Sequence, residues 1–204
     1  MKDVFAIVPV KPLEDGKSRL RAILTDRERM QLNEFLMTRT FEQACIFPGA
    51  SRTIVVSKSE TVLAVAESRG MIVLLQRAGG LNDALSSATQ EAMSRNAGGV
   101  MILPVDLPLA NIAALKCLIE QCSAPVCMIA PDRHRTGTNL LCVSPVHHDL
   151  YRFGPDSFRS HQAEAAKRNM RIVLLEDETL GIDIDDSADY RLWLSRLEPT
   201  PIQP

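Results

Sequence analysis

The 204 residues hold no secretory leader, no apolar run long enough to span a bilayer and no C-x-x-C pair. The first two absences predict a cytoplasmic protein without a membrane anchor. The third bears on five cysteines, an odd number, at Cys45, Cys117, Cys122, Cys127 and Cys142. Set in apolar strand and helix patterns, they read as buried free thiols in a reducing compartment rather than as disulfides or a zinc site. Strong net charge is missing too. Lys and Arg number 23 against 25 Asp and Glu, a formal net charge of −2. That argues against a nucleic-acid or membrane-surface binder and leaves room for a local basic cluster facing a small anion. Repeats, linkers and low-complexity segments are also lacking. Residues 1–198 therefore read as one domain, with 199–204 a frayed tail.

What is present is an alternation of strands and helices, with 46% hydrophobic residues to fill a core. Buried strands are predicted over 4–10, 53–57, 71–75, 100–103, 126–130, 140–143 and 171–175. Thr25-Asp-Arg-Glu28 is a capping box opening a long helix that Pro48-Gly49 ends, with Met30, Phe35, Leu36, Met37, Phe41 and Ala44 as its apolar face. Further helices are expected from Ser59 to Arg69, from a cap at Asn82, from Ala110 to Cys122, from a cap at Ser157, and around Trp193. The pattern predicts an α/β three-layer sandwich built on a mainly parallel sheet.

Chemistry concentrates at strand ends. Asp106, between Pro104 and Pro108, follows the strand Val100–Leu103, where open α/β sheets place ligands; alone it could equally be a loop or capping Asp. After the first strand, Lys11, Lys17 and Arg19 form a basic loop suited either to solvent or to a triphosphate. It is not a Walker A loop, because Lys11 stands where the motif requires its first Gly. Gly79-Gly80 turns into a helix whose Asn82 and Asp83 could simply cap it, or whose N–H groups could approach a nucleotide. Asp183 and Asp185 alternate about Ile184, so in a strand both face one way and could share a hard divalent cation with Asp106. No His and Cys cluster offers a softer site, and His147-His148 reads as a surface turn.

In their order, these stretches resemble the guanylyltransferases that activate a small phosphorylated acid in biosynthesis of the deazaflavin coenzyme F-420. The carriers are Pro9-Val-Lys-Pro-Leu with Lys17-Ser-Arg-Leu, Gly80-Leu-Asn-Asp-Ala-Leu85 and Leu103-Pro-Val-Asp-Leu-Pro-Leu109. Others are Ala130-Pro-Asp-Arg133 with Gly137-Thr-Asn139, Phe153-Gly-Pro-Asp-Ser-Phe158, and Asp183-Ile-Asp185. The resemblance spans about residues 4 to 195. It departs at Asp185-Asp-Ser, where related sequences more often read Asp-Thr-Pro, leaving Asp183, Asp185 and Asp186 all open as metal ligands.

The resemblance implies a nucleotidyltransferase fold and transfer of GMP from GTP to 2-phospho-L-lactate, phosphoenolpyruvate or 3-phospho-D-glycerate, with release of pyrophosphate. It implies Mg2+ on Asp106 with Asp183 and Asp185, and Lys17, aided by Lys11 or Arg19, on the leaving pyrophosphate. Gly80, Asn82 and Asp83 would hold the nucleoside, and Thr138, Gly154 and Ser157 the acceptor. A homodimer and handover of a labile product to the next transferase are also implied. A phosphomonoester, with its second pKa near ~6, is largely dianionic at pH 7 and needs no general base, in keeping with the absence of His from these motifs. A cytidylyl- or molybdopterin-type nucleotidyltransferase and a non-catalytic nucleotide-binding regulator are the alternatives.

Overall fold

Strand-forming residues alternate between two apolar sets, and the computed structural model, which describes residues 1–197, shows where each set goes. The strands are β1 (Val4–Val10), β2 (Thr53–Ser57), β3 (Ile72–Leu75), β4 (Gly99–Ile102), β5 (Val126–Pro131), β6 (Thr138–Ser144) and β7 (Arg171–Leu174). The helices are α1 (Asp26–Ile46), α2 (Glu60–Ser68), α3 (Leu81–Ser94), α4 (Ile112–Gln121), α5 (Ser157–Lys167), the short α6 (Glu178–Gly181) and α7 (Ser187–Leu197). All seven strands join one sheet, in the order β3-β2-β1-β4-β6-β5-β7. Only β6 runs antiparallel to its neighbours.

On one face, Ala6, Val8 and Val10 of β1 with Met128 and Ala130 of β5 pack against α1, α2 and α4. On the other, Phe5 and Ile7 with Cys127 and Ile129 pack against α3 and α5. That period of two makes the three layers, because each strand is apolar on both sides. Each such Leu, Ile or Phe contributes about 1.5–3 kcal/mol relative to exposure. A smaller cluster of Leu20, Leu32, Leu36, Ile184 and Trp193 ties the segment after β1, α1 and the final helix together.

Several expectations shift locally. The Thr25–Glu28 capping box forms, with both reciprocal bonds. The apolar face of α1, however, lacks Met30 and Phe35, both largely exposed; Phe35 instead lies against Trp193 at 5.8 Å between ring centroids. Asn82 is not the cap of α3, because Gly80 occupies that position and Asp83 closes the reciprocal bond to it. Ser157 is not a cap either; it is the first residue of α5, buried, behind Asp156 in the left-handed region. Residues 182–186 form no strand. All five cysteines are free, but Cys45 and Cys117 are exposed rather than buried. No helix among the described residues is long and apolar enough to cross a membrane. The expected tail at 199–204 lies outside the described residues.

Candidate active site

The sheet reverses its winding between β1 and β4. From β1 the chain proceeds to β2 and β3 on one side, and β4 then pairs on the other. A crevice outside the carboxyl ends of two such strands is where doubly wound sheets bind ligands. A cleft of about 760 Å3 opens there, within the range of small-molecule sites. Lys11, Lys17, Arg19, Asp106 and Asp185 line it, and so do Val56, Gln76, Gly79, Gly80 and Leu81 from the β2 and β3 side of the sheet.

The charged stretch has a defined geometry. Lys17 Nζ lies 3.4 Å from Asp106 Oδ2 and 3.5 Å from Asp185 Oδ1, with the lysine side chain only 9% exposed. Arg19 approaches the other oxygen of Asp185 at 3.6 Å. Two backbone features put these groups together. Ile184 is fully buried in the small cluster, and its N–H donates to the Asp106 carbonyl at 3.0 Å. Asp183 and Asp185, on either side of it, are thereby fixed beside Asp106 without the strand that the alternation predicts. Asp186 does something else. Its carboxylate accepts N–H bonds from Ala188 and Asp189 at 2.8 and 3.1 Å, while Asp189 accepts from the N–H of Asp186 in return. Those bonds hold its pKa below the usual range, led by that from Asp189. Asp186 is thus the cap of α7, which leaves Asp183 and Asp185 beside Asp106.

Asp183 is the electrostatically costly member. Burial first, then the charges of Asp106 and Asp185, push its pKa up to about 6, although Asn139 Nδ2 donates to its Oδ1 at 3.3 Å. Among the described residues, no three His, Cys, Asp or Glu side chains are gathered closely enough to cage an ion by themselves.

Two residues overlooked in the sequence set the basic loop. Arg29 and Asn33, one helical turn apart on α1, are buried; Arg29 donates to the Gly16 carbonyl at 2.8 Å and Asn33 to that of Leu13 at 2.6 Å. A side chain at Gly16 would collide with Asn33, its Cβ only 2.5 Å from the amide nitrogen. The available signal was a polar pair at i, i+4 within the stripe that otherwise carries Leu32, Leu36 and Met37. Lys17 itself adopts φ 53°, a left-handed conformation that aims it back at the carboxylates.

The glycine turn differs from a phosphate cradle. The N–H of Gly80 is already bonded to Asp83 Oδ2 at 2.8 Å, and Gly79 needs φ 84° with no room for a Cβ beside Asp83. Asn82 and Asp83 do not line the cleft. The Asn82 carboxamide instead donates to the Phe153 carbonyl at 3.0 Å and accepts the Phe153 N–H at 2.9 Å. It clamps the segment before Gly154 to the start of α3, and Phe153 lines the cleft. Asn82→Ala is expected to lower stability by about 1–3 kcal/mol, since a hydrogen bond contributes about 0.5–1.5 kcal/mol and both Phe153 backbone groups lose their mate. Denaturant unfolding would show it; a midpoint equal to that of the parent would remove the clamp.

Thr138, Gly154 and Ser157 lie in one neighbourhood but not on the cleft wall. The Thr138 hydroxyl is 2.9 Å from His161 Nδ1, and the other ring nitrogen accepts the Arg152 N–H at 3.0 Å. His161 is fully buried, and burial, with Arg152 adding to it, pushes its pKa down to about 4. The ring is therefore neutral and ties β6 to α5. Its titration and that of Asp183 oppose each other. Between about pH 4 and 6.5 the unfolded chain binds the His161 proton more tightly, so stability falls with acid. Between about pH 4 and 6 the folded chain holds the Asp183 proton more tightly, so stability falls as pH rises. Denaturant titrations from pH 4 to 7 are expected to show Asp183→Asn stabilised at pH 7 with an advantage fading toward pH 4. The deficit of His161→Gln should narrow over the same descent, and parallel curves for parent and both variants would refute these assignments.

A phosphoenolpyruvate guanylyltransferase of Rubrobacter xylanophilus is 37% identical over 196 residues, covering 96% of this chain and 93% of that protein. A 2-phospho-L-lactate guanylyltransferase of Methanobrevibacter ruminantium is 26% identical over 200 residues, covering 93% and 84%. Among solved structures, a nucleotidyl transferase from a Methanothermobacter superposes with a TM-score of 0.63 over 96% of this chain and 98% of that one, at 13% identity. That likeness shows the nucleotidyltransferase fold. The family model described as guanylyl transferase CofC like matches residues 4–194, and the chain belongs to that family of enzymes.

Proposed function

We propose that the cleft transfers GMP from GTP to phosphoenolpyruvate or a closely similar three-carbon phosphoacid, releasing pyrophosphate, as a cytoplasmic step of coenzyme F-420 biosynthesis. Phosphoenolpyruvate comes first because the more similar relative is named for it; 2-phospho-L-lactate and then 3-phospho-D-glycerate follow. The observation that carries the reading is Lys17 held between Asp106 and Asp185 where the sheet reverses its winding. A cation already seated between carboxylates marks a place where charge of both signs must be exchanged.

The acceptor phosphate oxygen attacks the α-phosphorus of GTP as the bond to the β-phosphate oxygen breaks, and the electron pair leaves on pyrophosphate. The phosphate dianion supplies its own nucleophile, so the chain has to position and neutralise rather than remove a proton. Lys17 meets charge growing on the leaving group, with Arg19 and Lys11 along the same wall. Gly154 and Ser157, which follow the Phe153 that Asn82 holds at the cleft edge, and Thr138 at the start of β6 are the proposed acceptor residues. The donor set fits magnesium, which takes one or two protein carboxylates and completes its shell with phosphate oxygens and water. Asp106 and Asp185, with Asp183 behind them, would hold it, and when bound it supplies charge stabilisation at the α-phosphate. Burial, then the charges of Asp106 and Asp185, raise the Asp183 carboxyl toward neutrality, and a cation held there would favour its charged form.

A pyrophosphate-release assay with Mg2+, GTP and each of the three acids, the product identified by mass, tests the reading. Turnover with phosphoenolpyruvate at the highest kcat/KM is expected. Turnover with CTP and not GTP would overturn the guanylyl assignment.

A further inference from the structure

Gln76 lies on the wall of the cleft, two residues before the glycine turn, and its side chain serves three acceptors at once. Nε2 is 3.2 Å from the Ala78 carbonyl, 3.1 Å from that of Gly79 and 2.9 Å from that of Gly80. An amide with two hydrogens cannot satisfy three carbonyls together. The turn is therefore rich in acceptors, and the Gly80 N–H is already taken by Asp83. Such a surface repels phosphate and attracts N–H groups.

The cleft itself fixes which part of a nucleotide comes here. The strand order separates its two sides: Asp106 follows β4, with Lys17, Arg19 and Asp185 joined to it by ion pairs, whereas Val56 belongs to β2 and the turn with Leu81 follows β3. A nucleoside triphosphate has the same polarity, with a charged tail and a flat, largely apolar base. Of the common bases, guanine alone presents two adjacent donor groups, N1–H and the 2-amino group, on one edge. Cytosine and adenine offer one amino group beside a ring acceptor, and uracil one N–H between two carbonyls.

We infer that the carbonyls of Ala78, Gly79 and Gly80 read the N1–H and 2-amino edge of guanine, and that Gln76 covers these acceptors in the free protein and yields them to the base. This rests on the guanylyl reading and specifies how the base is chosen. The glycines are then required twice, for the turn and so that carbonyls rather than side chains face the ligand. Specificity arises because a base lacking either donor leaves a desolvated carbonyl unpaired.

The test is nucleotide binding by isothermal calorimetry without any acceptor, using GTP, ITP, XTP and CTP with the intact chain and with Gln76→Ala. ITP lacks only the 2-amino group, and its Kd is expected to rise at least about tenfold over that of GTP. XTP sets a carbonyl against the turn and should bind more weakly still. Gln76→Ala removes the covering amide, so the variant should keep the GTP preference over ITP. Equal affinity for GTP and ITP in the parent would overturn the inference while leaving guanylyl transfer standing. Loss of the preference in Gln76→Ala would overturn it differently, by making the side chain the reader. Tighter binding of CTP than GTP would fail the guanylyl reading itself and this inference with it.

Discussion

Asp106→Asn is expected to lower kcat by at least about a hundredfold, the scale seen when one electrostatic contact to the developing transition-state charge is lost, while the protein stays folded. The carboxylate lies just beyond β4, about a third exposed, and its polar partner is Lys17 rather than the core. Its structural duty is performed by the backbone carbonyl, which accepts the Ile184 N–H and survives the substitution. Asn keeps the shape and removes the charge, so a fall in activity without a fall in melting temperature separates chemistry from folding. Asp185→Asn should follow it closely, since Lys17 bridges the same two carboxylates. Asp186→Asn should not, because Asn caps a helix about as well as Asp. Pyrophosphate release and thermal unfolding on the same preparations decide it. Near-parental turnover by Asp106→Asn would take the residue out of the site.

How much of this could be read from the chain varied with how local the cause was. Strand positions were legible because β1, β2, β4 and β5 are apolar at successive positions, and the capping box of α1 because its partners are three residues apart. The dominance of parallel pairing followed from strand–helix alternation, but the single antiparallel strand β6 did not. It follows β5 through the short turn around Arg135, which is left-handed at φ 56°, and no helix intervenes. The grouping of Asp106, Asp183 and Asp185 was legible through Ile184, although the alternation arises from an irregular segment pinned by one backbone bond rather than from a strand. Asn82 was misplaced because capping is a local rule, whereas its carboxamide answers to Phe153, 71 residues away. The same holds for Arg29 and Asn33, polar residues inside an apolar stripe whose partners are carbonyls of another segment. Long-range partners of polar side chains leave little trace in periodicity.

Replacing Lys17 separates two roles that its conformation combines. Its ammonium is the nearest cation to Asp106 and Asp185 in the free protein, and in the proposed reaction it would follow negative charge onto the leaving pyrophosphate. Lys17→Ala is therefore expected to cut kcat about a hundredfold or more with a smaller change in acceptor KM, because the interaction strengthens only as charge moves. Lys17→Arg should restore little, since a planar fork does not fit the narrow space that a compact ammonium fills, only 9% exposed. The left-handed φ of 53° supplies the control. Alanine there carries strain that glycine does not, so Lys17→Gly should be more stable than Lys17→Ala by about 1 kcal/mol while remaining equally inactive. If catalysis depended on the loop's shape rather than the charge, the relaxed glycine variant would recover activity over the alanine one. Equal, low kcat values with unequal unfolding midpoints would assign the loss to the ammonium. A kcat held at the parental value with only the acceptor KM raised would instead place Lys17 beside the acid, and charge on the leaving group would then have to be met by Arg19 and Lys11.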